Sequence, residues 1–84
     1  MTDPFQRAVS HAVPLEKRRA AIDALAADGR ASDLAVLVRT RGLSGGLRRE
    51  ALDGLAACGA DEELAAVADD GSLPPEIRRT AAQK

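Results

Sequence analysis

Apolar residues recur along the chain at helical spacing, and glycine or proline separates each such segment from the next. Ala21, Ile22 and Leu25, for example, fall on one face of a helix. Alanine, leucine, arginine and glutamate are abundant and aromatic residues are nearly absent, which favours helix over sheet. The pattern predicts an all-α fold of about five or six short helices, over residues 4–12, 15–28, 33–41, 46–58, 62–70 and 74–83.

The same pattern returns every 30 residues without insertion or deletion. An apolar residue at Val13, Leu43 and Leu73 is followed at fixed offsets by a pair of arginines and an alanine. A constant period of this length is typical of a repeat array, because one unit cannot bury its apolar face alone. We therefore expect a single domain, 1–84, built as a short α-solenoid of stacked antiparallel helical hairpins. Its expected parts are a leading half repeat, two repeats and a trailing half repeat, at 1–13, 14–43, 44–73 and 74–84.

The repeating unit reads Arg-x-x-Ala-x-x-x-Leu, then a short glycine-containing turn, then a leucine-rich second helix. In this form it resembles the HEAT-like repeats of the phycobilisome-lyase type. The residues that carry the resemblance are Arg18, Ala21, Leu25, Gly29 and Leu34 in one unit, Arg48, Ala51, Leu55, Gly59 and Leu64 in the next, and Arg78 and Ala81 in the last. The resemblance implies a helical solenoid that holds other proteins, and it leaves the partner unnamed because such repeats serve scaffolds, adaptors and regulatory subunits.

Charge and cysteine content narrow the class of protein. Twelve basic and thirteen acidic residues leave a net charge of −1, so the chain lacks the basic field of a dedicated nucleic-acid binder. The single cysteine cannot form an internal disulfide, which suits a reducing compartment. We see no signal-peptide pattern and no apolar stretch of roughly 20 residues that could span a bilayer. The expected location is the cytoplasm, without a membrane partner.

The second helices of the repeats are expected to line the inner, concave face of the array, which is the usual binding surface of solenoids. We call the candidate partner-binding residues on this face the polar strip; they are Val36, Arg39, Thr40, Asp69 and Asp70. Mixed charge suits a polypeptide better than a nucleic-acid backbone, which presents one sign throughout. The sequence therefore predicts a non-catalytic protein-interaction module, an adaptor or small accessory subunit. A simply solvated polar face is the alternative, and self-association through the open C-terminal helix is a further one.

The repeated arginine pairs give a different functional alternative. We call them the arginine ladder: Arg18, Arg19, Arg48, Arg49, Arg78 and Arg79. Guanidinium groups at regular spacing could bind phosphate or nucleic acid. The structural alternative is that the arginine stems cover helix edges while the charged heads pair with nearby carboxylates such as Glu16 and Asp23. The neutral net charge and the lack of stacking aromatics count against nucleic acid.

No residue pattern predicts catalysis, a metal site or a cofactor. His11 is the one histidine and has no cysteine or histidine neighbour, so it is expected to be solvated near a helix end. Cys58 is expected to be a buried or half-buried small side chain, because no basic residue adjoins it. The lyase-type resemblance raises a role in handling a bilin chromophore. Two units and a fragment are too small to enclose that ligand, and Phe5 is the one aromatic residue.

Overall fold

The computed structural model describes residues 4–84, which contain helices and no strand. The first three residues of the predicted leading half repeat lie outside this range. The helices are α1 (Pro4–Val9), α2 (Leu15–Ala27), α3 (Ala31–Arg39), α4 (Gly45–Ala57), α5 (Asp61–Ala68) and α6 (Pro75–Gln83). The all-α prediction is confirmed, and each predicted segment contains a helix, although α3 begins and ends two residues earlier than the predicted 33–41.

The first helix is shorter than predicted, ending at Val9 rather than at residue 12. The backbone N–H of Val13 donates to the carbonyl oxygen of Ser10 at 3.2 Å, so the chain turns here instead of continuing the helix. The same turn follows α3, where the N–H of Leu43 donates to the carbonyl oxygen of Thr40 at 3.2 Å and a serine stands in place of Pro14, so the turn does not depend on the proline.

Glycine ends the two longest helices in the same way. Gly29 and Gly59 have φ angles of 68° and 71°, the left-handed conformation that glycine commonly adopts after the end of a helix. After α2, the N–H of Arg30 donates to the carbonyl oxygen of Leu25 at 2.9 Å. A bond of the same length follows α4, from Ala60 to the residue five positions before it. These bonds bring each following helix back against the one just completed.

One continuous hydrophobic cluster involves every helix. Its largest fully buried side chains are Ile22, Leu25, Leu34, Leu37, Val38, Leu47, Leu52, Leu55 and Val67. Helix α1 packs on α2, α3 on α4, and α5 on α6. Further contacts join α2 to α4 and α4 to α6, and also α1 to α3 and α3 to α5. Because α3 contacts α5, the end of α3 and the end of α5 lie on one side of the molecule.

Candidate functional site

The polar strip predicted from the sequence lies on α3 and around the end of α5. Val36 is 49% exposed, and the hydroxyl of Thr40 donates to its carbonyl oxygen at 2.7 Å. Arg39 Nε lies 2.9 Å from Asp70 Oδ2, across 31 positions of sequence. The structure thus brings two predicted residues of opposite sign into one ion pair, beside an exposed apolar side chain.

Asp70 is held by more than the arginine. Its Oδ1 accepts hydrogen bonds from the Ser72 hydroxyl at 2.6 Å and from the Ser72 backbone N–H at 3.0 Å. Together with Arg39, these donors lower the pKa of Asp70 from 3.8 to about 2, with the Ser72 hydroxyl as the largest cause. Asp69 is exposed and takes no part in this network. The two neighbouring aspartates, which the sequence did not distinguish, therefore have different surroundings.

The first arginine of the first two pairs faces inward. Arg18 and Arg48 are each only 9% exposed. Arg18 Nε donates to the carbonyl oxygen of Ala8 at 2.9 Å, and Arg48 Nε donates to that of Val38 at 2.8 Å. These carbonyls belong to the last turns of α1 and α3, where helices leave acceptors without an intrahelical donor. Each arginine thus satisfies the end of the preceding helix and adds a favourable charge there.

The rest of the arginine ladder is divided between burial and exposure. Arg19, Arg49 and Arg79 are exposed. Arg78 is half-buried, and its Nε, like Arg18 Nη2, is a buried atom without a hydrogen-bond partner in the described range. The hydrogen bonds of the inward-facing arginines go to backbone carbonyls, a partner that the sequence interpretation did not consider.

A second basic feature lies where the α3–α4 and α5–α6 connections approach each other. We call it the arginine depression. It has a volume of about 330 Å³ and is lined by Arg39, Arg41, Arg48, Ser72, Leu73 and Pro74. Three arginines, from the end of α3, the following connection and α4, thus line one open hollow. Its lining contains no acidic residue, although the Asp70 carboxylate lies at its edge against Arg39 and Ser72. Sequence reasoning missed Arg41, because it lies in a connection and has no arginine thirty residues before or after it.

The groove between α2 and α4 has the opposite sign. Asp23, Glu50 and Asp53 lie along this acidic groove of about 680 Å³. The pKa of Glu50 is raised, first by burial and then by a hydrogen bond and charge repulsion from Asp23. Lys84 Nζ lies 2.5 Å from Asp53 Oδ1 and neutralises part of the charge. Within residues 4–84, no cluster of histidine, cysteine or acidic side chains could hold a metal ion.

The single histidine and the single cysteine lie apart from the groups described above. His11 is exposed, after the end of α1. Cys58 is half-buried, and its thiol donates to the carbonyl oxygen of Leu55 at 3.6 Å. Neither residue belongs to a group that resembles a catalytic arrangement.

Every helix in residues 4–84 is too short or too polar to cross a membrane. Comparison with protein-family models, with curated proteins and with solved structures found no match to this chain.

Proposed function

We propose that this chain is a non-catalytic protein-interaction module that binds a polypeptide through the polar strip on α3 and α5. The observation that carries the proposal is the exposure of Val36 beside the Arg39–Asp70 ion pair. An apolar side chain in the open, next to oriented charges, is the composition of a protein contact surface. A partner can bury Val36 while the ion pair at its edge contributes to specificity.

The architecture we propose is a HEAT-like array of helical hairpins with a 30-residue period. Two observations support it. Hydrogen bonds of matching type and length recur thirty residues apart at the helix ends, as with Arg18 to Ala8 and Arg48 to Val38. Helices α2, α4 and α6 contact one another in order, and so do α1, α3 and α5. In such an array the second helices form one surface, which is where the polar strip lies.

The test uses two exposed apolar residues as a matched pair. Leu15 and Val36 are each 49% exposed, and they are the large apolar side chains that residues 4–84 expose most. The tagged full chain and its Val36→Asp and Leu15→Asp variants are used to capture proteins from a lysate of the native host, with washes of increasing salt. We expect a discrete protein that Val36→Asp loses and Leu15→Asp retains. Equal capture by both variants would refute the polar strip as the binding surface, provided that circular dichroism shows both to be folded.

Nucleic-acid or phosphate binding through the arginine ladder is the alternative function. Burial of Arg18 and Arg48 leaves Arg19, Arg49 and Arg79 as its exposed members. This reduces the charge available to a nucleic-acid backbone. Binding that falls steeply with salt and that depends on these three exposed residues would support the alternative.

Two further parts of the proposal concern self-association and location. The side chains that α6 exposes include Arg79 and Gln83, a polar surface that disfavours a stable contact between copies through this helix. We propose a cytoplasmic location, because Cys58 is the single cysteine and has no partner within the chain.

A further inference from the structure

We propose that the arginine depression is a binding site for an oxyanion, a carboxylate or phosphate group carried by the polypeptide partner. The existence of the site is argued from its own geometry. Only the statement that a polypeptide carries the anion rests on the function proposed above.

The depression is rich in positive charge. Arg39, Arg41 and Arg48 line it without any acidic side chain, in a chain whose net charge is −1. Arg39 is compensated by Asp70, which leaves two guanidinium groups without a carboxylate partner. Two guanidinium groups facing one hollow can donate several hydrogen bonds to an oxyanion, since each group is a planar fork of N–H donors. An anion bound there would relieve their mutual repulsion.

Arg48 is held in position before any ligand arrives. It is nine-tenths buried, and its Nε is fixed on the carbonyl oxygen of Val38. Arginine has five N–H donors, and this bond uses one of them. The wall of the depression is therefore rigid, and an anion that binds there does not have to order a free side chain at its base.

Arg41 supplies the uncompensated charge at the rim. It is exposed and forms no side-chain hydrogen bond or ion pair with any residue of the range 4–84. It is thus free to close on a ligand. Arg39 and Ser72, also on the rim, already hold the carboxylate of Asp70 through its two oxygens, which shows that donors at this place can bind an oxyanion.

The same location thirty residues earlier in the sequence lacks these features. Val9, His11 and Gly42 stand there in place of Arg39, Arg41 and Ser72, although a buried arginine, Arg18, is present. The buried arginine is therefore part of the repeated framework, while Arg39 and Arg41 have no arginine at the corresponding earlier positions. The apolar side chain of Leu73 and the ring of Pro74 complete the depression on one side. This partly apolar lining suits an anion that is part of a larger organic molecule.

The test is a titration of the ¹⁵N-labelled full chain, followed by NMR at the arginine Nε–H and backbone N–H resonances. The probes are inorganic phosphate, N-acetyl-phosphoserine methylamide and N-acetyl-glutamate methylamide. We expect saturable shifts at Arg41, Arg48 and Ser72 with a millimolar dissociation constant. Tighter binding of the phosphoserine probe assigns the site to phosphate, and binding of the glutamate probe at least as tight assigns it to carboxylate.

Two variants with the same change of charge give the control. Arg41→Gln should weaken binding about tenfold, which corresponds to the loss of one charge-assisted hydrogen bond. Arg49→Gln removes an exposed arginine that does not line the depression, and it should leave affinity within about twofold. Shifts that do not saturate, or equal losses in both variants, would overturn the proposal. Both residues are exposed, so neither variant threatens the fold.

The two proposals fail in different ways. If the probes bind but Val36→Asp still captures the partner, the depression stands as a site and the polar strip is wrong as the binding surface. If Val36→Asp abolishes capture but no probe binds, the interaction surface stands and the oxyanion site is wrong.

Discussion

Replacing the first arginine of the Arg18–Arg19 pair should lower the free energy of unfolding, while replacing the second should have little effect on it. Arg18 is buried with its Nε on the last turn of α1, whereas Arg19, next to it in sequence, is exposed. We therefore expect Arg18→Ala to be destabilising and Arg19→Ala to be nearly neutral. The comparison tests whether the first arginine of the pair stabilises the fold while the second does not.

The magnitude follows from three contributions. Loss of the hydrogen bond from the charged Nε to Ala8 costs about 1.5–3 kcal/mol. The two methylene groups lost from Arg18 contribute about 0.8 kcal/mol each. Against these, removing Nη2, which is buried without a partner, recovers about 1–2 kcal/mol. The net destabilisation is about 2 kcal/mol, a large part of the roughly 4–13 kcal/mol that a domain of this size has in total.

The assay is urea unfolding followed by circular dichroism. With a denaturant slope of about 1 kcal/mol per molar, Arg18→Ala should lower the midpoint by about 2 M. Arg19→Ala should stay within about 0.5 kcal/mol of the parent chain. Arg18→Met keeps an apolar stem and removes both the hydrogen bond and the unpaired Nη2. Its free energy of unfolding should therefore lie within about 1 kcal/mol of that of the parent chain. Midpoints for Arg18→Ala and Arg19→Ala that coincide would refute the role of the buried arginine at the helix end.

Three further predictions concern the core, a turn and pH. Leu55→Ala removes a fully buried side chain and should cost about 2–4 kcal/mol by urea unfolding, whereas Leu15→Ala, at a half-exposed site, should cost less than about 1 kcal/mol. Gly59→Ala should cost about 1–2 kcal/mol in the same assay, purely from the positive φ, since an added Cβ meets no atom within 4 Å. Because folding lowers the pKa of Asp70, its contribution to stability is complete above pH 3.8 and disappears as pH falls toward about 2. In urea midpoints measured against pH, Asp70→Asn should therefore differ from the parent chain above that window and converge with it below the window.

The helices could be predicted because their signals are local. Apolar spacing put Ala21, Ile22 and Leu25 on one face of a helix, and all three are buried. Glycine at position 29 or 59 ends a helix through its own backbone conformation, which needs no tertiary information. The end of α1 was missed because four residues before Pro14 have helix-compatible side chains, and the turn depends on backbone hydrogen bonds that the pattern does not show.

The candidate site was harder to predict because its contacts are distant in sequence. The partner of Arg48 Nε is a backbone carbonyl ten positions earlier, and every residue has such a carbonyl, so side-chain identity gives no clue to the pairing. Arg39 and Asp70 were both named as surface residues of opposite charge, but their contact depends on the packing of α3 beside α5. Arg41 lies in a connection, where no periodic pattern distinguishes one charged residue from another.

Arg18 and Arg48 repeat in the sequence and have the same structural role, but their surroundings differ. In both positions the side chain is nine-tenths buried and bonds the end of the preceding helix, so its repetition follows from the needs of the backbone. The surrounding residues differ: for example, the exposed residue seven positions before the buried arginine is His11 in one case and Arg41 in the other. Beside Arg48, Arg41 adds a second guanidinium group without a carboxylate partner in residues 4–84, whereas no arginine occupies the corresponding position beside Arg18. Binding chemistry in this chain should therefore be sought first at Arg39 and Arg41, which break the 30-residue pattern, because the buried arginines that keep it, Arg18 and Arg48, are already bonded to the ends of helices.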